Sequence, residues 1–429
     1  MGSFLNASVA ARQLSLVDLC LPGTHDSLSY DLSLTVSDDG LDNMEKLANL
    51  LHTLSGGTIK LLPQDMEEFF RLQAKTQQLT IAQQLDNGIR FVDCRIMMEK
   101  DGHEWRSIHF MQSKQTVDVY WREIRDWLDR HPQEIVVLWL SKHGSVSATG
   151  DDQYPGVSIP DKLKIWQQYL EIFDGLLLNT TESSIHKSTL ADLISRRHRV
   201  VTYATDYVEF TNSSELALDA KNIQNYYALD GVFDLKTTRA KNHAYFEAAA
   251  ANNAYRKEIG GFALMSMNTA GPVWQLEDAA KVRFLPLIAS TKGCAAKVNL
   301  PGVTDWCPET LLDIVQLSSY YNQMQLEQVF VGKTRAAFPH AFYLDGLDFN
   351  GTIRTGSQLL DGAPRGDVEH QNVKYAYVDT VIAYNLRKVC RDNDAQCSNL
   401  LQEFMRRRST YPLQQWEDIK YGRHAEPPF

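Results

Sequence analysis

The chain has 429 residues, of which 44% are hydrophobic and 22% are charged, the composition of a globular protein with a sizeable core. Its formal net charge of -10 argues against a nucleic-acid partner and against docking on an anionic membrane by bulk charge. The sequence has no apolar run of the roughly 18 residues that a membrane-crossing helix needs. Residues 1–11 lack the basic start and apolar segment of a signal peptide, so we expect none there.

The cysteines and glycosylation sequons leave the compartment open. Cys20 and Cys94 lie in strand-like runs, which predicts buried thiols. Two pairs are close enough in sequence for local disulfides, Cys294/Cys307 and Cys390/Cys397. Four sequons permit secretion without showing it, at Asn6, Asn179, Asn212 and Asn350. We expect an extracellular protein if Met1-Gly2-Ser3 is not native sequence, and a cytoplasmic one otherwise.

The first third of the chain predicts three strands and several helices. Leu14–Leu21 reads as a first strand that ends at Pro22-Gly23, followed by a polar loop. Residues 38–76 read as an insertion after strand 1, with two helices and suited to act as a lid. The elements that follow are a short helix at Leu79–Leu85, a strand at Ile89–Met97, a third strand at Ser107–Phe110 and an amphipathic helix at Thr116–Arg130.

The remaining chain continues the alternation of strands and helices. Glu134–Ser141 is continuously apolar, as in a parallel strand covered on both faces. Further strands are predicted at Val200–Ala204, Gly231–Leu235, Phe262–Met267 and Ala341–Leu347, and helices at Leu163–Phe173, Ser188–Ser195, Asp379–Arg391 and Leu400–Arg408. We expect the stretches 208–258 and 270–335 to be mostly helical or irregular.

Alternating elements with few hairpin signals predict an α/β fold with a parallel sheet. About eight strands favour closure into a TIM-like (β/α)8 barrel, in which the carboxyl ends of the strands carry the chemistry. We predict a barrel domain over residues 1–353 and a helical C-terminal extension, packed on the barrel, over 354–429. Seven polar residues fall at or just past strand ends: His25, Arg95, His109, Lys142, Asp206, Asn268 and Asp348.

The stretch Leu21-Pro22-Gly23-Thr24-His25-Asp26-Ser27 places an imidazole, a carboxylate and a hydroxyl directly after an apolar run. In one interpretation, these polar side chains form a functional site at the open end of an apolar core. The other is a helix start with Thr24 or Asp26 as cap and His25 idle. Spacing alone does not separate these two interpretations, because a motif match is only a hypothesis until its context supports it.

Three sequence blocks together resemble the X region of phosphatidylinositol-specific phospholipase C. They are the stretch around His25, then Gly88-Ile89-Arg90-Phe91-Val92-Asp93-Cys94-Arg95, then His109 with the helix ending His131-Pro132-Gln133-Glu134. The resemblance covers residues 12–145 well and is thin beyond them, except near Asp348. It implies a TIM-like barrel and cleavage of a phosphodiester with the help of two histidines.

The resemblance also implies roles for individual residues. His25 resembles the general base and His109 the general acid, with Asp26 as the carboxylate that supports the acid. Asp93 and Arg95 resemble a charged pair near the phosphate. Asp348 resembles a late carboxylate that orients the base, and Asp345 is the competing choice. Lys142 and Asn268 are candidates for substrate contacts because of their places after predicted strands and not because of the resemblance, and a surface lysine is an equally good interpretation of Lys142.

The chemistry is consistent with these roles. A base and an acid on opposite sides suit attack by an internal hydroxyl, and histidines titrate near neutrality. A fixed cation must stabilise the charge on the phosphoryl oxygens, which Arg95 could supply with two parallel donors. Metal-dependent relatives carry a second carboxylate where this chain has Arg95. We therefore expect no metal and no cofactor, as in the bacterial enzymes of the family.

We expect a lyase that converts phosphatidylinositol, or a related headgroup, to a cyclic phosphate. The first alternative is the same barrel acting on a soluble substrate such as a glycerophosphodiester or a sugar phosphate, because the insertion could exclude a bilayer. The second alternative is a binding module without catalysis, which the presence of both histidines argues against. The expected partners are a phospholipid or small phosphodiester and, for a lipid, a peripheral membrane contact. We expect a monomer.

Overall fold

The fold is known from a computed structural model. It describes residues 9–37, 63–99, 104–141, 158–204, 214–226, 261–266, 339–345, 376–390 and 397–403, with a few isolated positions between 45 and 53 and at 244. Among the predicted elements, Gly231–Leu235 and all of 270–335 lie outside these residues, and only the isolated positions fall within Leu41–Leu54.

The described residues form an α/β fold with a mixed sheet of ten strands. The strands are β1 (Leu21–Thr24), β2 (Leu32–Val36), β3 (Phe91–Met98), β4 (Trp105–His109), β5 (Met111–Thr116), β6 (Val136–Ser141), β7 (Val200–Tyr203), β8 (Ile223–Tyr226), β9 (Phe262–Ser266) and β10 (Ala341–Leu344). Seven of them are parallel in the order β7-β6-β3-β1-β10-β9-β8. The predicted α/β class is confirmed.

Helices pack against the sheet. They are α1 (Val9–Arg12), α2 (Pro63–Ala74), α3 (Ile81–Asp86), α4 (Val117–Arg130), α5 (Ile159–Ile172), α6 (Leu190–Ser195) and α7 (Ala376–Val389). The apolar stripe predicted for α4 is buried, with Trp121, Ile124 and Trp127 at most 1% exposed. Alternate strand residues pack into two clusters, one with α4 and α5 around Val92 and Leu138, the other around Phe91 and Val137.

β1 begins where the sequence pattern predicted a strand to end. Residues 16–18 form a 3-10 turn, and the strand runs through Pro22 and Gly23. Pro22 takes part in the strand pairing through its carbonyl, which accepts a hydrogen bond from the Arg90 amide. Gly23 is required by close approach, since a Cβ atom would lie 2.6 Å from the carbonyl oxygen of Phe342. The Pro-Gly pair therefore marks tight packing between strands rather than a break.

An antiparallel branch, β3-β4-β5-β2, corrects the expectation of a purely parallel sheet. The residues after His109 continue as β5, and the polar stretch after β1 contains β2. A single residue, Phe110, connects β4 to β5 with φ 58°. This backbone region favours glycine, so the hairpin had no recognisable turn signal. β8, likewise, lies in a stretch expected to be helical or irregular.

Closure of the barrel stays a prediction. Within the described residues, β7 and β8 lie at the two ends of the parallel order, and no ladder joins them; Tyr203 and Leu218 form one isolated parallel bridge near this gap. No helix in the described part of the chain has both the length and the apolar character to span a bilayer.

Helix α7, from the predicted C-terminal extension, contacts the start of β1. Asn385 accepts a hydrogen bond from the Cys20 amide at 2.9 Å and donates one to the Cys20 carbonyl at 2.6 Å. Val378 lies beside Gly88, whose φ of 101° ends α3. Cys390 and Cys397 form a disulfide, and Cys20 and Cys94 are buried, as predicted. Cys294 and Cys307 lie outside the described residues.

Candidate active site

His25 follows β1 directly and is 3% exposed. Its amide donates to the carbonyl of Leu344, so the ends of β1 and β10 are held together. Its Nδ1 atom lies 2.8 Å from Oδ1 of Asp345, the residue after β10. The ring of Tyr343 packs against the imidazole with 5.2 Å between the centroids. The parallel pairing of two strands distant in sequence thus creates a histidine–carboxylate pair.

Arg95 lies at the centre of a charged group formed with β1 and β3 residues. Its Nε atom is 2.5 Å from Oδ1 of Asp26 and 3.5 Å from Oδ2 of Asp93, and both carboxylates are fully buried. Its Nη2 atom is 2.5 Å from Nε2 of His25. The Asp26 backbone has φ 44° and its amide donates to Asp93. The guanidinium therefore connects two buried carboxylates to one imidazole.

His109, at the end of β4, faces His25 across Asp26. The two imidazole centroids are 6.3 Å apart, and Nε2 of His109 is 3.5 Å from Oδ2 of Asp26. Nδ1 of His109 is 2.6 Å from the carbonyl oxygen of Ala74, the last residue of α2. A histidine from the antiparallel branch thereby reaches the carboxyl edge of the parallel strands.

The polar neighbours of the two histidines differ, because His25 faces both a donor and an acceptor whereas His109 faces acceptors. Nε2 of His25 faces a guanidinium, which can only donate, so that nitrogen carries a lone pair and Nδ1 carries the proton given to Asp345. Burial lowers the pKa of His25 from its ordinary 6.5 to about 4. Both nitrogens of His109 face oxygen acceptors instead, Nε2 the Asp26 carboxylate and Nδ1 the Ala74 carbonyl. Burial raises the pKa of the Asp345 carboxyl to about 7.

Three residues at this site could offer ligand atoms to a metal. His25, Asp26 and Asp93 bring one nitrogen and two carboxylate oxygens within 4.8 Å of one another. However, Arg95 lies against both carboxylates. A calcium ion takes six to eight oxygen ligands, and the described residues near Arg95 do not provide that number. A cation at this position would have to displace the Arg95 guanidinium from both carboxylates.

The structure brings together five of the predicted site residues: His25, Asp26, Asp93, Arg95 and His109. Asp345, the competing choice for the late carboxylate, contacts His25. Lys142, Asn268 and Asp348 lie outside the described residues, as does Asp206, so their predicted contacts stay predictions.

The sequence interpretation missed two buried residues just after α2, Thr76 and Gln77. Thr76 donates to the carbonyl of Asp26 at 3.1 Å. Gln77 donates to the carbonyls of His25 at 2.9 Å and of Leu344 at 3.0 Å. The predicted insertion 38–76 ends inside this group, so part of it belongs to the site. No motif marks these residues, because their partners are backbone atoms.

Residues 69–229 match the family model of the PI-PLC X domain. This match confirms the resemblance that the sequence blocks indicated. It includes Asp93, Arg95 and His109, whereas His25 and Asp345 lie outside its bounds. The neighbouring segment with Thr76 and Gln77 also falls within the match.

Relatives with names of the same kind align with part of the chain. The chain is 33% identical over 123 residues to PI-PLC X domain-containing protein 1 from Homo sapiens, covering 28% of this chain and 35% of that protein. It is 33% identical over 131 residues to PI-PLC X domain-containing protein 2 from Homo sapiens, covering 30% and 38% respectively. The aligned region thus spans little more than a third of these relatives.

Solved structures of bacterial enzymes are similar over a longer stretch. The phosphatidylinositol-specific phospholipase C from Listeria monocytogenes is 15% identical, with a TM-score of 0.46, over 78% of this chain and 90% of that chain. A phosphatidylinositol-specific phospholipase C from S. aureus, studied for its membrane binding, is 12% identical, with a TM-score of 0.45, over 80% and 90%.

Proposed function

We propose that this protein cleaves phosphodiesters by general acid–base catalysis with two histidines, acting on phosphatidylinositol or a related headgroup. The observation that carries the proposal is the opposite surroundings of the two rings. His25 presents a lone pair to a donor, as a base must, and His109 is surrounded by acceptors, as an acid must be. The match to the PI-PLC X domain supports the choice of substrate class.

The proposed reaction begins when the substrate phosphate draws Arg95 away from His25. Nε2 of His25 then accepts the proton of a hydroxyl next to the phosphate, and that oxygen attacks phosphorus. The bond from phosphorus to the lipid alcohol breaks, and Nε2 of His109 donates its proton to the leaving oxygen. The products are a cyclic phosphate and a neutral alcohol.

The other residues support these two proton transfers. Asp345 accepts the hydrogen bond that Nδ1–H of His25 donates, and it stabilises the imidazolium that forms when Nε2 takes the substrate proton. Asp26 lies within 3.5 Å of both rings and of Arg95, so it fixes the three side chains relative to one another. Arg95 is the fixed cation for the phosphoryl oxygens, and we therefore propose catalysis without a metal.

Histidine variants test the proposal on vesicles of phosphatidylinositol and on soluble glycerophosphoinositol. His25→Gln and His109→Gln should each lower kcat by about 10²- to 10⁴-fold, the usual contribution of a general acid or base. The matched control is His131→Gln, because His131 stacks on Trp127 at 4.1 Å at the opposite ends of the strands. Equal activity of all three variants would contradict the proposal. A preference for the soluble compound would select the alternative substrate.

A further inference from the structure

Thr76 and Gln77 form a buried polar clamp on the backbone of the active site. Both are 0% exposed, and they lie two and three residues after the end of α2. The two donors of the Gln77 amide bond the carbonyls of His25 and Leu344. The Thr76 hydroxyl bonds the carbonyl of Asp26 and lies 3.5 Å from that of His25. We propose that this clamp positions the His25–Asp345 pair for proton transfer, an inference that rests on the proposed function.

The bonds of Gln77 act where the two catalytic strands end. Leu344 is the last residue of β10 and directly precedes Asp345, while His25 directly follows β1. A single amide group therefore fixes the separation of the two backbones that carry the 2.8 Å contact between the imidazole and the carboxylate. Without it, two buried carbonyls would lose a donor, and the strand ends could separate.

The bond of Thr76 acts on a backbone that adopts an unusual conformation. Asp26 has φ 44°, which costs about 1–2 kcal/mol for a residue with a Cβ atom. Such a conformation persists only where the surroundings determine it strongly. The Asp26 carbonyl accepts from Thr76 and from the amide of Ser29. These bonds aim the Asp26 carboxylate at Arg95 and at both imidazoles.

The same segment also reaches the second histidine. Ala74, two residues before Thr76, offers its carbonyl to Nδ1 of His109 at 2.6 Å. Residues 74–77 therefore contact His25, Asp26 and His109 through backbone or side-chain bonds. One short segment thus holds the proposed base, the proposed acid and the carboxylate between them, without contacting the reacting atoms. Thr76 and Gln77 therefore act as positioning residues.

Substitutions that remove the donors with little change of volume test the clamp. Gln77→Met and Thr76→Val should lower kcat on phosphatidylinositol by about 10- to 100-fold, because small displacements of catalytic groups have effects of that size. KM should change by less than about threefold. Thr76→Ser keeps the hydroxyl and should restore kcat. A second readout is the downfield proton resonance of Nδ1–H of His25, which Gln77→Met should shift or broaden.

The matched control is Asn385→Leu. Asn385 is 7% exposed and bonds the backbone amide and carbonyl of Cys20, before the start of β1. It should lower the melting temperature while leaving the His25 resonance in place. The inference is overturned if folded Gln77→Met and Thr76→Val keep both kcat and the resonance, or if kcat in all variants follows the melting temperature alone. If the wild-type protein has no activity but only the clamp variants shift the resonance, the proposed function fails and the positioning of the pair stands.

Discussion

Arg95 and His25 meet end to end, with Nη2 of the guanidinium 2.5 Å from Nε2 of the imidazole. This contact fixes the tautomer of His25, since a guanidinium cannot accept a proton. It also places the phosphate-binding cation on the lone pair that the proposed base must use. Substrate binding has to separate these two groups. In the proposed complex the substrate phosphate contacts Arg95, and the hydroxyl of the same substrate contacts Nε2 of His25.

The acidic limb of the pH profile should lie unusually low. Burial lowers the pKa of His25 to about 4, so the base stays unprotonated at pH values where an exposed histidine would be charged. The value of kcat/KM on phosphatidylinositol should therefore hold down to about pH 5 and fall near pH 4, as the free enzyme's base titrates. An acidic limb centred at about pH 6.5 would contradict this assignment of the base.

The pH dependence of stability should become steeper in Asp345→Asn. Between pH 4 and 6.5, His25 binds fewer protons in the folded state than in the unfolded state. The free energy of unfolding therefore decreases as the pH falls through this range. The pKa of Asp345 is raised to about 7, so the protonation of this carboxyl stabilises the fold at low pH and that stabilisation is lost as the pH rises. The effects of His25 and Asp345 on the free energy of unfolding therefore oppose each other. In the Asp345→Asn variant only the first effect remains, and the free energy of unfolding should drop by about 3 kcal/mol from pH 6.5 to pH 4.

Urea unfolding at several pH values measures this difference. The exposed carboxylate variant Glu171→Gln should follow the wild-type curve. Parallel curves for Asp345→Asn and the wild type would show that the two buried groups do not titrate in opposite directions.

Arg95→Ala should lower kcat/KM by about 10²- to 10³-fold, the usual effect of removing one preorganised charge-stabilising group. Arg95→Lys should recover only part of the loss, because an ammonium cannot give two parallel donors. The control is Arg122→Ala, whose side chain is 62% exposed on α4. Full activity of Arg95→Ala would show that the guanidinium takes no part in the reaction.

Gly23→Ala should destabilise the fold and disturb the site together, because Gly23 lies two residues before His25. The new Cβ atom would lie 2.6 Å from the carbonyl oxygen of Phe342, and the resulting strain should cost about 1–3 kcal/mol. Gly175→Ala meets no atom within 4 Å and carries only the cost of φ 68°, about 1 kcal/mol. Chemical unfolding measures both, and equal losses would contradict the close approach at Gly23.

Local patterns predicted the elements whose residues alternate or repeat clearly. The stripe of α4 and the apolar run of β6 are examples, since burial on one or both faces leaves a direct signal in the sequence. The start of β1 was placed wrongly because close packing of strands, which requires Gly23, looks the same in sequence as a turn. The β4–β5 hairpin was missed because Phe110 occupies a position that usually carries glycine.

The site was predictable only where it could be compared with a known motif. His25, Asp93, Arg95 and His109 lie in sequence blocks that resemble the family, and the structure brings them together. The partnership of His25 with Asp345 depends on pairing between strands 320 residues apart, which spacing alone could not decide. Gln77 bonds backbone carbonyls. Because every strand has backbone carbonyls, no residue pattern in the sequence predicts the role of Gln77.

In the proposed reaction, two histidines make a cyclic phosphate without a metal. Phosphorus NMR of the products released from phosphatidylinositol vesicles in excess chelator tests it most directly. We expect a cyclic inositol phosphate as the first product, at the same rate with and without chelator. A linear phosphate appearing first, or activity that disappears with chelator, would contradict the proposed reaction at this site.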